Sequence, residues 1–298
     1  MSNSKCFICD SKHFTKLFIQ NDYSFIRCSS CNLIQLSPYP TPEQLAAHYS
    51  SRSKGGNYDL SKADERRNVL LKVFDKIMAT LPPTLGNRRI LDLGCFDGAL
   101  LDFAKEAGWE TAGVEYQGEA VIKAQKKHGN SIQAGDLETY TVAQNSYDVV
   151  SALGVIEHLR NPQILLNIAH NGLKDNGLLV IQTPNTSSFL CKLLARYWPC
   201  YGAPEHIHYF SRSNLRVLLK QSGFHSIYFR AHVKHLRISY VMEQFQVWGL
   251  DLYRKIRWLF PFVPKWVQRK SLPFYGGEML VFARKGTSEF TTGQIKEE

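Results

Sequence analysis

The chain has 298 residues, 44% of them hydrophobic and 21% charged, which is ample material for a large buried core. Its formal net charge of +10 favours anionic company, whether nucleic acid, phosphorylated small molecules or a membrane surface, without choosing among them. Seven cysteines, four of them in two close pairs, argue against a secreted disulfide scaffold. No apolar run reaches membrane-spanning length and the opening MSNSKCFICD has no signal-peptide apolar region, so a cytoplasmic protein is expected.

In chain order, Cys6-Phe7-Ile8-Cys9 and Cys28-Ser29-Ser30-Cys31 come first, two C-x2-C pairs eighteen residues apart. Each pair can place two thiolates on one turn, and two such turns complete a tetrahedral all-sulfur site. The spacing predicts a zinc ribbon over 1–37, with a hairpin from Phe14 to Ile26 between its knuckles. Four thiolates leave no open coordination position, so the zinc is expected to be structural. Prolines 38, 40 and 42 lead into a linker and cap over 38–85. There TPEQLAAHY reads as a short helix, SSRSKGGN as a loop, and the stripe Val69, Leu70, Val73, Phe74, Ile77, Met78, Leu81 as a longer helix.

The centre of the chain is Arg88 to Gln117. Ile90 to Leu93 suits a buried parallel strand, and Gly94-Cys95-Phe96-Asp97-Gly98 a tight turn. Ala99 to Ala107 has helical spacing, and Thr111 to Val114 is a second strand that ends at the acid Glu115. Strand, glycine turn, helix, strand and acid make a nucleotide-binding unit with its ligand at the strand tips. The G-x-G-x-x-G pattern that admits a pyrophosphate is absent, and Asp92 and Asp97 flank the turn. Two carboxylates there suit a cationic ligand, while Glu115 can accept hydrogen bonds from both ribose hydroxyls.

Further on, Ser131 to Ala134 predicts a strand with Gly135-Asp136-Leu137-Glu138 at its tip, although Asp136 would equally serve an ordinary turn. Tyr147 to Leu153 is a fourth strand followed by Gly154-Val155-Ile156-Glu157-His158-Leu159, and Gly177 to Thr183 is a fifth. A helix over Ser213–Gly223 and strands over Ile227–Ala231 and Met279–Ala283 follow. Strands alternating with helices imply a parallel sheet wound on both faces.

The glycine turn with its following acid, and YDVVSALGVIEHLRNP, resemble motifs I and IV of class I S-adenosylmethionine (SAM)-dependent methyltransferases. With the four-cysteine ribbon and the later PEHIHYFS segment, the chain resembles bacterial zinc-ribbon methyltransferases of sugar, polysaccharide and secondary-metabolite pathways. The resemblance implies a Rossmann-like, seven-stranded doubly wound α/β domain over 86–285, with the last strand antiparallel and a helical, aromatic insertion at about 232–275. It implies SAM held by Asp92, Gly94, Cys95, Gly98, Glu115, Tyr116, Asp136, Leu137 and Leu153. The segment 286–298 reads as a disordered tail.

If the acceptor is a hydroxyl, a base must take its proton, and His suits neutral pH. His206 is the first choice and His158 the second, with Tyr209 and His208 behind them; a lone His is more often structural, but these cluster on segments that leave the strand tips. Some metal-dependent quinone methyltransferases carry a glutamate three residues before Glu-His. That position is Gly154 here, so no catalytic metal is expected. Between Asp251 and Glu278 there is no acid, while Arg254, Lys255, Arg257, Lys265, Arg269 and Lys270 interleave with aromatic residues. Such a stretch suits a membrane interface, a phosphate-bearing substrate, single-stranded nucleic acid, or simply a solvated lid. The leading expectation is O-methylation of a sugar, glycan precursor or related hydroxylated metabolite, with peripheral contact to the inner face of the membrane. An RNA methyltransferase is the first alternative, against which stand a ribbon that is not basic and the lack of an N-P-P-Y type motif. A non-catalytic SAM-binding module is the second.

Overall fold

The computed structural model describes residues 5–45, 47–48, 63–83, 87–116, 118–240, 258, 260–268 and 270–286. The expected loop at 50–57, the tail from 287, and Arg254, Lys255, Arg257 and Arg269 lie outside the described residues.

Two sheets are present. The larger has seven strands: β4 (Arg89–Leu93), β5 (Glu110–Glu115), β6 (Ile132–Ala134), β7 (Tyr147–Leu153), β8 (Leu173–Pro184), β10 (Phe224–Arg237) and β11 (Ser271–Lys285). Their spatial order is β10-β11-β8-β7-β4-β5-β6, with β4 to β8 parallel and β11 antiparallel between β8 and β10. This is the doubly wound Rossmann-like sheet that the alternating pattern implies. Its order reverses beside β4, which puts the ligand crevice at the tips of β4, β5 and β7.

Helices cover both faces because the strands are apolar on both sides. On one face, α1 (Ala63–Thr80), α2 (Ala99–Glu106) and α3 (Glu119–His128) bury Val73, Phe74, Ile77, Leu100, Phe103, Ala104, Val121 and Ala124 against Ile90, Val149 and Val180. On the other, α4 (Pro162–Gly172) and, after the short α5 (Phe189–Leu194), α6 (Arg212–Gln221) bury Leu165, Leu166, Leu215, Leu218 and Leu219 against Leu91, Val150 and Ile181. Local signals start both helices. Asn161 accepts from the Gln163 N–H ahead of α4, with Pro162 in its first turn, and Ser211 and Asn214 form a capping box on α6. Truncating a fully buried leucine such as Leu165 or Leu219 to alanine is expected to cost about 2–5 kcal/mol.

The smaller sheet is β1 (Phe14–Gln20), β2 (Tyr23–Cys28), β3 (Ile34–Ser37) and β9 (His208–Tyr209), in that order. The expected hairpin is β1–β2, joined through Asn21 and Asp22, both with positive φ. Its cysteine end packs on α6, where Cys6, Ile8, Cys28 and Leu33 share a core with Leu215, Leu218 and Phe210.

The last two strands run well past their expected ends. β10 reaches Arg237 and β11 starts at Ser271, so Val233 pairs with Tyr275 and Arg237 with Ser271 beyond the sheet edge. The stretch expected as a helical insertion at 232–275 is therefore a two-stranded ribbon at both ends, and residues 241–257 lie outside the described residues. The pairing register shifts between Ala231 and Val233, where the ribbon begins.

Candidate active site

The glycine turn after β4 is built as the sequence requires. Gly94 has φ 75°, and a Cβ there would stand 2.5 Å from Val155 Cγ2. Gly98 has φ 77°, and its Cβ would meet the His128 ring at 2.8 Å. Side chains are excluded at both by conformation and by space. The Arg66 guanidinium from α1 pairs with Asp97 and lies 4.1 Å over the Phe96 ring, so α1 is tied to the turn.

Two acids stand beside the turn. Glu115 ends β5; one of its oxygens accepts from the Phe96 N–H at 2.7 Å and the other from the Tyr116 N–H at 3.0 Å. Burial nevertheless pushes its pKa up. Asp92 is buried and accepts from the Ser151 hydroxyl at 2.7 Å, and burial raises its pKa to about 7. Two acids with raised pKa values await compensating charge or donors, which a cation and ribose hydroxyls would supply. Cys95 packs beneath the turn, within 2.8 Å of the position of a Gly113 Cβ. Tyr116 is half exposed at the β5 tip, and Leu153 closes β7 half-buried. Asp136 accepts from the Glu138 N–H at 2.9 Å as a turn residue at the β6 tip, while Leu137 turns into the core.

A second group of residues gathers beyond β7 and β8. Glu157, His158 and His206 each offer a ligand atom, all within 4.8 Å of one another. The two imidazoles meet edge to face, 4.6 Å between centroids. Glu157 is buried, accepts from the Thr183 hydroxyl at 3.0 Å, and is pushed up to about 8 by burial. His206 Nδ1 lies 2.9 Å from the Cys200 carbonyl. A carbonyl only accepts, so the proton sits on Nδ1 and Nε2 keeps the lone pair, the tautomer a general base needs. Two imidazoles and a carboxylate can also hold a divalent cation, but Gly154 supplies no further carboxylate.

The other two candidates of this segment, Tyr209 and His208, are held in packed surroundings. Tyr209 is fully buried among Phe25, Tyr201 and Ile34, and its hydroxyl accepts from the Gly202 N–H. His208 is buried between the rings of Phe7 and Tyr39, and desolvation lowers its pKa to about 3. Alternation along β9 sends the two side chains to opposite sides: His208 packs on Phe7 and Tyr39, while the Tyr209 ring meets the His206 ring edge to face at 6.1 Å, with its hydroxyl on the Gly202 amide.

Three residues of the site were not singled out from the sequence. Gln182 Nε2 donates to Glu278 Oε1 at 2.8 Å, and Lys234 pairs with the other Glu278 oxygen. Burial alone would raise the Glu278 pKa, but the Lys234 ammonium outweighs it and holds Glu278 below the usual carboxylate range. The pair is not sealed off: Lys234 keeps 28% of its side-chain surface and Glu278 14%. Gln182 Oε1 and Glu157 Oε1 both face the space above Gly154, at 3.8 and 3.9 Å from where its Cβ would lie. The one signal in the sequence is that Glu278 ends a long acid-free stretch.

Residues 64–228, more than half the chain, match the methyltransferase domain family. The chain belongs to that family. It is a SAM-dependent methyltransferase. Among curated relatives it is 28% identical over 176 residues to a ubiquinone biosynthesis O-methyltransferase of Bradyrhizobium diazoefficiens, covering 53% of this chain and 69% of that one. It is 27% identical over 169 residues to the protein of the same name from Azorhizobium caulinodans, covering 53% and 66%. The chain thus spans about two thirds of the length of these relatives. In fold it is similar to a SAM-dependent methyltransferase from Thermotoga maritima, with TM-score 0.52 at 17% identity, over 79% of this chain and 98% of that one. A SAM-dependent methyltransferase from Archaeoglobus fulgidus gives TM-score 0.51 at 20% identity, over 76% and 99%.

Proposed function

We propose that the enzyme transfers the SAM methyl group to a hydroxyl of a sugar, glycan precursor or related hydroxylated metabolite. The observation that carries this reading is the convergence of Glu157, His158 and His206 at the strand tips, with His206 Nδ1 committed to the Cys200 carbonyl. The acceptor proton passes to His206 Nε2 while the acceptor oxygen attacks the methyl carbon. A C–O bond forms as the C–S bond breaks, and S-adenosylhomocysteine leaves. In-line displacement asks mainly for alignment, and a positioned base adds about 10²–10⁴-fold. Glu157 stands beside the pair, and His158 packs edge-on to hold the base ring.

The wall formed by Gln182, Lys234 and Glu278 presents an amide, an ammonium and a carboxylate to the same space, which favours a polyhydroxylated acceptor over a purely apolar one. Relatives named as O-methyltransferases support oxygen as the atom methylated. Exposed Trp258, Phe262 and Trp266, with Lys265 and with Lys270 lying 4.7 Å over the Trp266 ring, support contact with a phosphate-bearing or membrane-held acceptor. Among the described residues no helix is long and apolar enough to cross a membrane.

We also infer that Cys6, Cys9, Cys28 and Cys31 hold a structural zinc. Their sulfurs lie within 4.8 Å of one another, two pairs at 3.5 Å, close to the roughly 3.8 Å edges of a tetrahedron with Zn–S bonds of about 2.3 Å. Asp10 and Asn32, each directly after the second cysteine of a knuckle, both adopt positive φ, so the two turns share one geometry.

Labelled SAM incubated with an extract of the source cells, with and without ribonuclease, tests the acceptor class. Label in a ribonuclease-resistant, small-molecule or glycolipid fraction is expected. Label lost to ribonuclease would replace this reading with RNA methylation, and SAM binding with no transfer in any extract would favour a silent module.

A further inference from the structure

The small sheet ends on a strand that belongs to the active-site segment. β9 is only two residues long and has no place in the large sheet; it pairs with β3, Ile34 opposite Tyr209 and Gln35 opposite His208. One residue earlier, the Leu36 N–H donates to the Ile207 carbonyl at 3.0 Å, and the Ile207 N–H donates to the Glu157 carbonyl at 2.8 Å. A continuous run of backbone hydrogen bonds therefore leads from the cysteine ribbon, through the neighbour of His206, to the neighbour of His158.

The first knuckle adds a side-chain contact to this run. Phe7, between Cys6 and Cys9, meets the His208 ring edge-on at 4.5 Å and the Phe210 ring at 6.4 Å. The second knuckle is held from the other side, where Asn214 of α6 donates to the Cys31 carbonyl at 3.5 Å. A two-residue strand does not hold its own conformation, so its order comes from what it pairs with. The contacts of the ribbon run to Tyr201, Ala203, Ile207–Phe210 and α6, whereas the glycine turn and Glu115 are held by Val114, Val155, His128 and the Phe96 and Tyr116 amides.

We infer that the ribbon is the positioning element of the His206 segment: Phe7 and β3 hold Ile207–Tyr209 in place, so an intact metal knuckle sets the rate of methyl transfer and leaves SAM binding untouched. The inference rests on His206 acting in transfer, as proposed above. Phe7 is a positioning residue, acting through His208 and the backbone it anchors.

Removing a cysteine risks unfolding the segment, so the deciding variant is Phe7→Ala in the full chain, which keeps all four thiols. Bound zinc, SAM affinity by calorimetry, amide hydrogen exchange and methyl transfer from labelled SAM are measured together. The expected result is retained zinc, SAM affinity within twofold of wild type, and at least tenfold faster exchange at the amides of 207–209. kcat should fall with the KM for SAM unchanged, and Phe7→Leu should restore most of both. The inference is overturned if the 207–209 amides keep wild-type protection in Phe7→Ala, if exchange rises equally across Gly94–Gly98, or if the chain as isolated holds no zinc. Should wild-type protein transfer no methyl group to any acceptor, the functional reading fails, yet the exchange pattern still decides whether the ribbon orders β9.

Discussion

Replacing Glu115 with alanine tests how the donor is held. Glu115 is well placed for ribose: it ends β5, and its two oxygens are already oriented by the Phe96 and Tyr116 amides at 2.7 and 3.0 Å. Those donors leave lone pairs on both oxygens, enough to accept from two ribose hydroxyls. Hydrogen bonds to a charged group contribute about 1.5–3 kcal/mol each. Two such bonds are partly offset by water that enters the vacated site and by the desolvation cost that burial already imposes on Glu115. The net loss should be about 3 kcal/mol, on the order of 100-fold in the Kd for SAM. Isothermal titration with SAM and with S-adenosylhomocysteine measures it, alongside a melting curve to show the fold intact. Both ligands should weaken equally, because both carry the ribose. A change under threefold in a folded variant would refute the placement of the nucleoside at the β5 tip.

Asp92 sets a pH dependence for donor binding. Its folded pKa is raised to about 7 from an ordinary 3.8, so the folded chain holds a proton that the unfolded chain releases between those values. Its contribution to stability therefore falls as pH rises from about 4 to about 7. A sulfonium nearby favours the carboxylate, so SAM binding should expel that proton and tighten as pH rises towards 7. Calorimetry in buffers of different ionisation enthalpy should show proton release in the wild type and none in Asp92→Asn. For the acceptor wall, Lys234→Met should destabilise the enzyme by about 3–5 kcal/mol by leaving Glu278 unpaired, and adding Glu278→Leu should recover most of it. Equal stability of single and double variants, read by chemical denaturation, would mean that the pair does not depend on its partner charge.

The glycine turn and the acid at the next strand end were legible in the sequence because their determinants are local. Gly94 and Gly98 are forced by a turn within five residues, and Glu115 follows at the next strand end, so spacing alone locates them. The alternation of strands and helices was legible from apolar runs for the same reason, while the seven-stranded sheet with its antiparallel last strand came from the motif resemblance. The acceptor half was legible only in part. Glu157-His158 and Glu205-His206 were marked by their residue types, but that His206 commits Nδ1 to Cys200, and that Tyr209 and His208 are buried, goes with the pairing of β9 with β3, far earlier in the chain. Gln182, Lys234 and Glu278 meet across β8, β10 and β11, three strands far apart in the chain. No local periodicity encodes a contact between elements so far apart in the chain. The same limit explains why 232–275 reads as an insertion: its two ends pair with each other, a non-local fact.

The central claim is that His206 takes the acceptor proton in a donor-bound enzyme. The most direct measurement compares wild type and His206→Ala for SAM affinity and for transfer of labelled methyl to the fraction that accepts it. The account predicts SAM affinity within twofold and transfer reduced by about 10²–10⁴-fold. Transfer within threefold of wild type, with SAM still bound, would contradict it and leave the histidine pair with a packing role only.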